Sequence, residues 1–267
     1  MKVVLFCGGL GTRLREHAET IPKPMVTIGN RPIIWHLMRY YAHYGHTEFI
    51  LCLGYLGDQI KKYFLNYDEC LPSDFELSEG GKMIRALGRD IDGWKITFAD
   101  TGEQANIGQR LKAVQRYLGD DAEFMANYSD GLSNLPLDDY LDHFHRHDKL
   151  ASFVCVSPHA GTSQSFHVVS VAEDSLVRDI QPVSGSGLQI NGGFFAFKRR
   201  IFDYLEDGEE LVEAPFRRLI ADRQLVGYVH KGFWAAMDTP KDKQIFDAMY
   251  ARGDQPWAVW NATNGTA

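Results

Sequence analysis

The residues best suited to chemistry lie near the start of the chain. Gly8, Gly9 and Gly11 follow the apolar run Val3–Cys7, Thr12 and Arg13 come next, and Lys23 stands between Pro22 and Pro24. A glycine-rich turn after a strand presents backbone N–H groups to an anion, with no side chains in the way. On the glycines alone a plain tight turn fits equally well. The two cations shift that balance. A guanidinium grips phosphate oxygens bidentately, whereas an ammonium acts as a point charge. Pro22 fixes its own φ and Pro24 pushes Lys23 into an extended backbone, so the ammonium is held at a fixed place. Two fixed cations beside a cradle of N–H groups suit a nucleoside triphosphate. With no general base in the set, the indicated chemistry is phosphoryl or nucleotidyl transfer, where positioning and charge neutralisation supply most of the rate. Two other nucleotide loops do not fit. Leu14 stands where G-x-G-x-x-G needs its third glycine, which disfavours a dinucleotide-dependent oxidoreductase, and no G-K-[ST] follows.

Such a transfer calls for a divalent metal on hard carboxylate oxygens. Asp130, in Asn127-Tyr128-Ser129-Asp130-Gly131, follows directly on a strand-like run, and Asp238 lies between a strand-like run and the last helical pattern. From the residues alone either aspartate also suits a turn or a helix N-cap, and the cap is the better of these for Asp238. His143, His145 and His147 invite a metal reading. Only His143 and His147 share a helical face, however, and Asp142, Arg146 and Asp148 mark a solvated helix end.

The elements that must hold these residues can be read from periodicity. Lys2–Cys7, Glu48–Leu53, Trp94–Ala99 and Glu123–Tyr128 are strand-length apolar runs. Between them Arg31–Tyr44, Leu56–Leu65 and Ile107–Leu118 carry helical patterns. That alternation implies a mostly parallel, Rossmann-like sheet with helices on both faces. From Ala151 onward the strand-like runs Ala151–Ser157, Phe166–Val171, Ser175–Ile180 and Gln189–Phe197 predict a small antiparallel or mixed subregion. Helices return at Arg200–Leu205, Glu213–Asp222 and Lys241–Tyr250, while Asp68–Asp92 reads as a lid or insertion. One α/β domain over 1–260 is expected, with 1–135 binding the nucleotide, 136–260 binding the acceptor and 261–267 a flexible tail. Trp257 and Trp260 suit either a core or a subunit interface.

Composition narrows the partners. The 267 residues are 45% hydrophobic and 24% charged with a net charge of -7, which argues against nucleic acid. No apolar stretch approaches the roughly 20 residues of a membrane span. Cys7, Cys52, Cys70 and Cys155 form no C-x-x-C pair, as expected of reduced cysteines in a cytoplasmic protein. The apolar run ending at Gly8 is too short for a signal-peptide core.

The sequence resembles the sugar-phosphate nucleotidyltransferases through Gly8-Gly9-Leu10-Gly11-Thr12-Arg13 and Pro22-Lys23-Pro24-Met25-Val26. Further motifs narrow the likeness to the glucose-1-phosphate cytidylyltransferases. They include Gly54-Tyr55-Leu56-Gly57, Asp100-Thr101-Gly102, Ser129-Asp130-Gly131, Ile190-Asn191-Gly192-Gly193-Phe194-Phe195, Gly232-Phe233-Trp234 and Met237-Asp238-Thr239. The resemblance implies the GT-A-like nucleotidyltransferase fold and transfer of CMP from CTP to a sugar-1-phosphate, with glucose 1-phosphate foremost, giving a CDP-sugar and pyrophosphate. It assigns Gly8, Gly9, Gly11 and Thr12 to the nucleotide, Arg13 to the leaving phosphates and Lys23 to the α-phosphate. It likewise assigns Gly108, Arg110 and Ser129 to the nucleotide side, Asp130 and Asp238 to Mg²⁺, and Asn191 and Gly192 to the sugar. A homo-oligomer is also implied.

Three positions depart from the family pattern. Gln181, in Ile180-Gln181-Pro182, stands where the family carries a lysine for the sugar's phosphate. Ala214 replaces an acidic residue before Pro215, and Ser129 replaces a glycine. Arg178 is expected on the strand face opposite Gln181. Losing a charged phosphate contact costs about 1.5–3 kcal/mol, enough to retune an acceptor. The alternatives are therefore a different phosphorylated acceptor or a non-catalytic nucleotide-sugar-binding regulator, although the intact cation and aspartate set favours an enzyme.

Overall fold

The computed structural model describes residues 1–9, 21–68, 70, 74–87, 90–158 and 167–261. The chain opens with β1 (Val3–Phe6), buried at every residue. Lys23–Met25 forms a 3-10 turn, and β2 (Thr27–Ile28) and β3 (Arg31–Pro32) make a small ribbon that runs into α1 (Ile33–His43). β4 (Glu48–Leu53) and α2 (Gly57–Leu65) follow, then a hairpin of β5 (Phe75–Ser78) and β6 (Met83–Ala86). β7 (Lys95–Asp100), α3 (Ile107–Val114) and β8 (Glu123–Tyr128) complete the first half. Next come β9 (Gly131–Ser133), α4 (Leu137–His147), β10 (Ala151–Val156) and the pair β11 (His167–Val171) and β12 (Val177–Pro182). The chain closes through β13 (Ile190–Asn191), β14 (Phe195–Lys198), α5 (Ala214–Ala221), β15 (Leu225–His230), β16 (Trp234–Ala236) and α6 (Pro240–Ala251).

Among the described residues the central sheet has eight strands, and β7, β4, β1 and β8 lie side by side and parallel. β14 runs antiparallel between β8 and β10, and β15 adds parallel to β10 at the far edge. The central strands β1, β4 and β8 are buried on both faces because side chains alternate between two core layers. Val3 and Leu5 pack with Ile34, Leu37 and Tyr41 of α1, while Val4 and Phe6 pack with Leu111 of α3 and Leu219 of α5. The chain steps outward from β1 to β4 and β7, then returns to the other side of β1 for β8. That reversal opens a crevice at the carboxyl ends of β1 and β8, where sheets of this kind bind ligands.

Several expectations change in the structure. Arg31 and Pro32 belong to β3, because Gly29 at φ +60° turns the chain and the helix starts only at Ile33. Arg199–Tyr204 is a 3-10 helix. The excursion after Asp68 contains the β5–β6 hairpin, turned by Gly80 and Gly81 at φ +67° and +90°. Its base is fastened to β3 by a buried ion pair of Arg31 with Asp90, which also accepts from Tyr67 Oη. The Arg31 guanidinium lies 4.6 Å over the Trp35 ring. Trp257 is fully buried against Phe246 and His36, which settles it as a core residue.

Candidate active site

A cavity of about 420 Å³ sits in the crevice, walled by Gly8 and Gly9 after β1, by Ser129 and Asp130 after β8, and by Lys23 and Asp238. Asp130 and Asp238 come from opposite strands of one two-stranded ribbon. Gly131 of β9 pairs with Ala236 of β16, and Met237 N donates to Asp130 O at 2.8 Å, so the two aspartates emerge side by side. The N-cap reading of Asp238 does not hold. Thr239 caps α6, its hydroxyl accepting from Asp242 N while the Asp242 carboxylate accepts from Thr239 N at 2.8 Å. The Asp238 carboxylate is turned toward Lys23.

Lys23 Nζ donates to Asp238 Oδ1 at 2.7 Å and also ion-pairs with Asp130. Burial opposes the charged ammonium, but the two carboxylates outweigh it and raise the Lys23 pKa above its usual value. Lys23 is therefore a full positive charge at neutral pH, at a point that two carboxylates share. That point suits a hard divalent cation: Mg²⁺ is commonly held by one or two carboxylates, with substrate phosphates and water completing its shell. The residues present fit such an ion. Among the described residues no third His, Cys, Asp or Glu joins them, and the histidines of α4 form no such group. His145 instead meets Glu123 at 2.9 Å, and His147 Nδ1 contacts the His143 carbonyl.

Arg110 organises the opposite wall. It is 2% exposed, and its guanidinium donates to the carbonyls of Gly8, Leu53, Gly102 and Glu103 and to Thr101 Oγ1. It thereby ties the turns after β1, β4 and β7 to one another. Gly8 is required by this clip, since a Cβ there would lie 2.0 Å from Arg110 Nη1. Gly108 is required elsewhere: a Cβ would meet the Glu209 carbonyl at 2.2 Å, so its absence lets the 208–211 loop close on α3. Ser129 Oγ donates to Phe6 O at 2.7 Å, tying β8 to β1 beneath the cavity. Burial pushes the adjacent Cys7 thiol up to about 12, which leaves it neutral and without thiolate character.

Asn191 and Gly192, expected on the acceptor side, lie at the strand break between β13 and β14. Asn191 Nδ2 donates to Tyr128 Oη at 3.3 Å, and Tyr128 lines the cavity. Gln181 sits on β12 opposite Val168, outside the cavity lining. The register of β11 and β12 slips at Ser170–Val171, leaving Arg178 as a bulge residue. The two-residue alternation that predicted Arg178 on the far face therefore does not hold across that stretch. Gly11, Thr12 and Arg13 lie outside the described residues, as does nearly all of the predicted tail.

Some cavity residues have weaker sequence signals. Asn106 caps α3 with Gln109 in a reciprocal box, legible as N-x-x-Q before an apolar run. Glu210, whose Oε2 accepts from Ile107 N at 3.2 Å, has no local signature. No helix among the described residues is long and apolar enough to cross a membrane.

The comparisons agree with this geometry. The nucleotidyl transferase family model matches residues 2–254. A Bacillus subtilis protein named "Probable glucose-1-phosphate cytidylyltransferase" is 39% identical over 97% of this chain and 100% of its own length. The glucose-1-phosphate cytidylyltransferase of Salmonella typhimurium is 34% identical with the same coverage. A solved UDP-glucose pyrophosphorylase in complex with UDP-glucose shares the fold at a TM-score of 0.69 and 14% identity, over 94% of this chain and 98% of that one. The chain belongs to the nucleotidyl transferase family, as an enzyme of the sugar-phosphate nucleotidyltransferase kind.

Proposed function

We propose that the protein transfers CMP from CTP to a sugar-1-phosphate, with α-D-glucose 1-phosphate the first acceptor to test, in a Mg²⁺-dependent reaction. The observation that carries this reading is the meeting of Lys23, Asp130 and Asp238 beside the glycine turn, at the point where the strand order reverses. The likeness to curated glucose-1-phosphate cytidylyltransferases supports the choice of CTP and glucose 1-phosphate.

In this reading a sugar-phosphate oxygen attacks the α-phosphorus of CTP, the new P–O bond forms as the bond to the β-phosphate bridge breaks, and pyrophosphate leaves. The attacking oxygen is already anionic, so no general base is needed. Lys23 counters the charge building on the α-phosphate, Arg13 grips the leaving phosphates, and Gly8, Gly9, Gly11 and Thr12 let the nucleotide approach the backbone. Asp130 and Asp238 would hold Mg²⁺, which neutralises phosphate oxygens and orients them for in-line displacement. Arg110 serves the nucleotide by shaping the turns around the base. Asn191 and Gly192 are given to the sugar by the family resemblance, while Gln181 lies outside the cavity lining and brings no charge to the sugar's phosphate.

The test is pyrophosphate release with Mg²⁺ from CTP, UTP and dTTP against a panel of sugar-1-phosphates. Release with CTP and glucose 1-phosphate is expected. Release only with another acceptor would make Gln181 a specificity change, and none with any pair would overturn the reading.

A further inference from the structure

The strand that carries Asn191 and Gly192 does not run straight through the sheet. Along β10, three steps from Ser152 to Cys155 are matched by five steps from Asn191 to Ala196 on the opposing strand. The surplus is taken up at Gly193 and Phe194, both left-handed at φ +75° and +49°. A buried phenylalanine in that region is strained and persists only where its surroundings enforce it. Asn127 of β8 supplies one restraint, its Oδ1 accepting from Phe194 N at 2.9 Å. The sheet supplies another through Gly192 N to Val154 O at 2.8 Å and Val154 N to Gly193 O at 3.0 Å. The Gly192 carbonyl points out of this ladder. It accepts from the indole N–H of Trp234 at 2.8 Å.

Trp234 opens β16, the strand that leads to Asp238 and pairs with β9 just after Asp130. Its Nε1 lies close to two glycines: a Cβ at Gly192 would be 3.3 Å from it and one at Gly131 3.9 Å. The indole thus fills the gap between the aspartate ribbon and the strand kink, tight against Gly192 and in ordinary contact with Gly131. From this geometry we propose that Trp234 is a positioning residue for the acceptor. By holding the Gly192 carbonyl it sets the distance of Asn191 and Gly192 from Asp130 and Asp238, and so the reach of the sugar-1-phosphate toward the α-phosphate. The inference rests on the acceptor assignment above. It separates Trp234 from Asn127, which holds the same kink from within the sheet and whose loss would disturb the core.

Trp234→Phe keeps an aromatic ring but removes the indole N–H, leaving the Gly192 carbonyl without its partner. The expected result is a KM for the sugar-1-phosphate raised about tenfold, from one lost hydrogen bond at an ordered carbonyl. The KM for CTP should stay within about twofold, and so should nucleotide-free Mn²⁺ affinity, because neither involves the kink. Trp234→Gln, which restores an N–H without the ring, should recover part of the loss. Calorimetric titration of glucose 1-phosphate into protein saturated with a non-hydrolysable CTP analogue gives the same comparison without turnover. Equal losses for both substrates in Trp234→Phe, or no loss for the acceptor, would overturn the role given to Trp234. Failure of the wild type to bind or use any sugar-1-phosphate would overturn the acceptor assignment and this inference together.

Discussion

Lys23→Met should make metal binding tighter while it sharply lowers turnover. The Lys23 ammonium sits between Asp130 and Asp238, so a divalent ion entering nucleotide-free protein competes with a cation already in place. The three side chains are 16%, 24% and 27% exposed, which screens the charges only partly. A hydrogen bond between charged groups contributes about 1.5–3 kcal/mol net. An incoming ion that must break even one of the two pays for it in affinity, by roughly ten- to a hundredfold. Methionine keeps the stem and removes the competitor. Mn²⁺ titrated by electron paramagnetic resonance at pH 7.5 without nucleotide should therefore bind Lys23→Met at least tenfold more tightly than wild type. Adding CTP should then strengthen Mn²⁺ binding in the wild type, where phosphate draws the ammonium away, and strengthen it less in the variant. Linkage requires the same factor in CTP affinity when Mn²⁺ is added. Turnover should fall about a hundredfold or more, since the charge aimed at the transition state is gone. Equal or weaker nucleotide-free Mn²⁺ binding in the variant would refute the idea that lysine and metal share the aspartates.

Other perturbations probe the supports of the site. Arg110→Met strands the carbonyls of Gly8, Leu53, Gly102 and Glu103, a loss of about 3 kcal/mol or more. Thermal melting should drop by roughly 6–12 °C, and a shift under about 2 °C would show that water replaces the clip readily. Arg31→Met leaves Asp90 without its buried cation, costing about 3–5 kcal/mol. Limited proteolysis should then cut between Tyr67 and Asp90 well before wild type, and an unchanged digestion pattern would count against that anchor. Acid stability should track His36, whose pKa burial lowers to about 4, aided by Arg31 nearby. The unfolded chain binds this proton near pH 6.5 and the folded one near 4, so stability is complete above 6.5 and declines as pH falls toward 4. The neutral ring donates from Nε2 to Ile28 O and accepts Trp257 Nε1–H at Nδ1, which a second ring proton would prevent. Denaturant melts from pH 7 to 4 should show His36→Gln with a flatter decline than wild type, and parallel curves would refute the assignment.

Most of the first half was legible because β1, β4 and β8 are buried almost throughout and read as apolar runs, while β7, half-buried at the edge, still carries Ile96, Phe98 and Ala99. β1, β4, β7 and β8 appear within a residue or so of their expected ends. The glycines marked the turn at the edge of the sheet, and the prolines around Lys23 marked a fixed cation. That Lys23 would meet both aspartates was not legible, because the β9–β16 ribbon that joins them pairs short strands far apart in the chain. For Asp238 the cap signal was real but off by one: Thr239 takes the cap, as a hydroxyl followed by Asp242 allows. The strand β15 escaped notice because its residues are half-buried at an edge and mix Gly227 and His230 with the apolar ones. Gly80-Gly81 did carry a turn signal for the β5–β6 hairpin, hidden within an excursion whose outer apolar residues stay exposed.

The Arg110 clip also has a bearing on how sequences of this kind can diverge. Three turns from three different strands spend their carbonyls on one guanidinium, and two of them require glycine, Gly8 and Gly54, to let it in. No one of those turns can be exchanged alone. A turn of another length or with a side chain at the glycine would displace the arginine and disturb the other two. Residues 8, 54, 101–103 and 110 therefore form one mechanically coupled block, to be exchanged together or not at all.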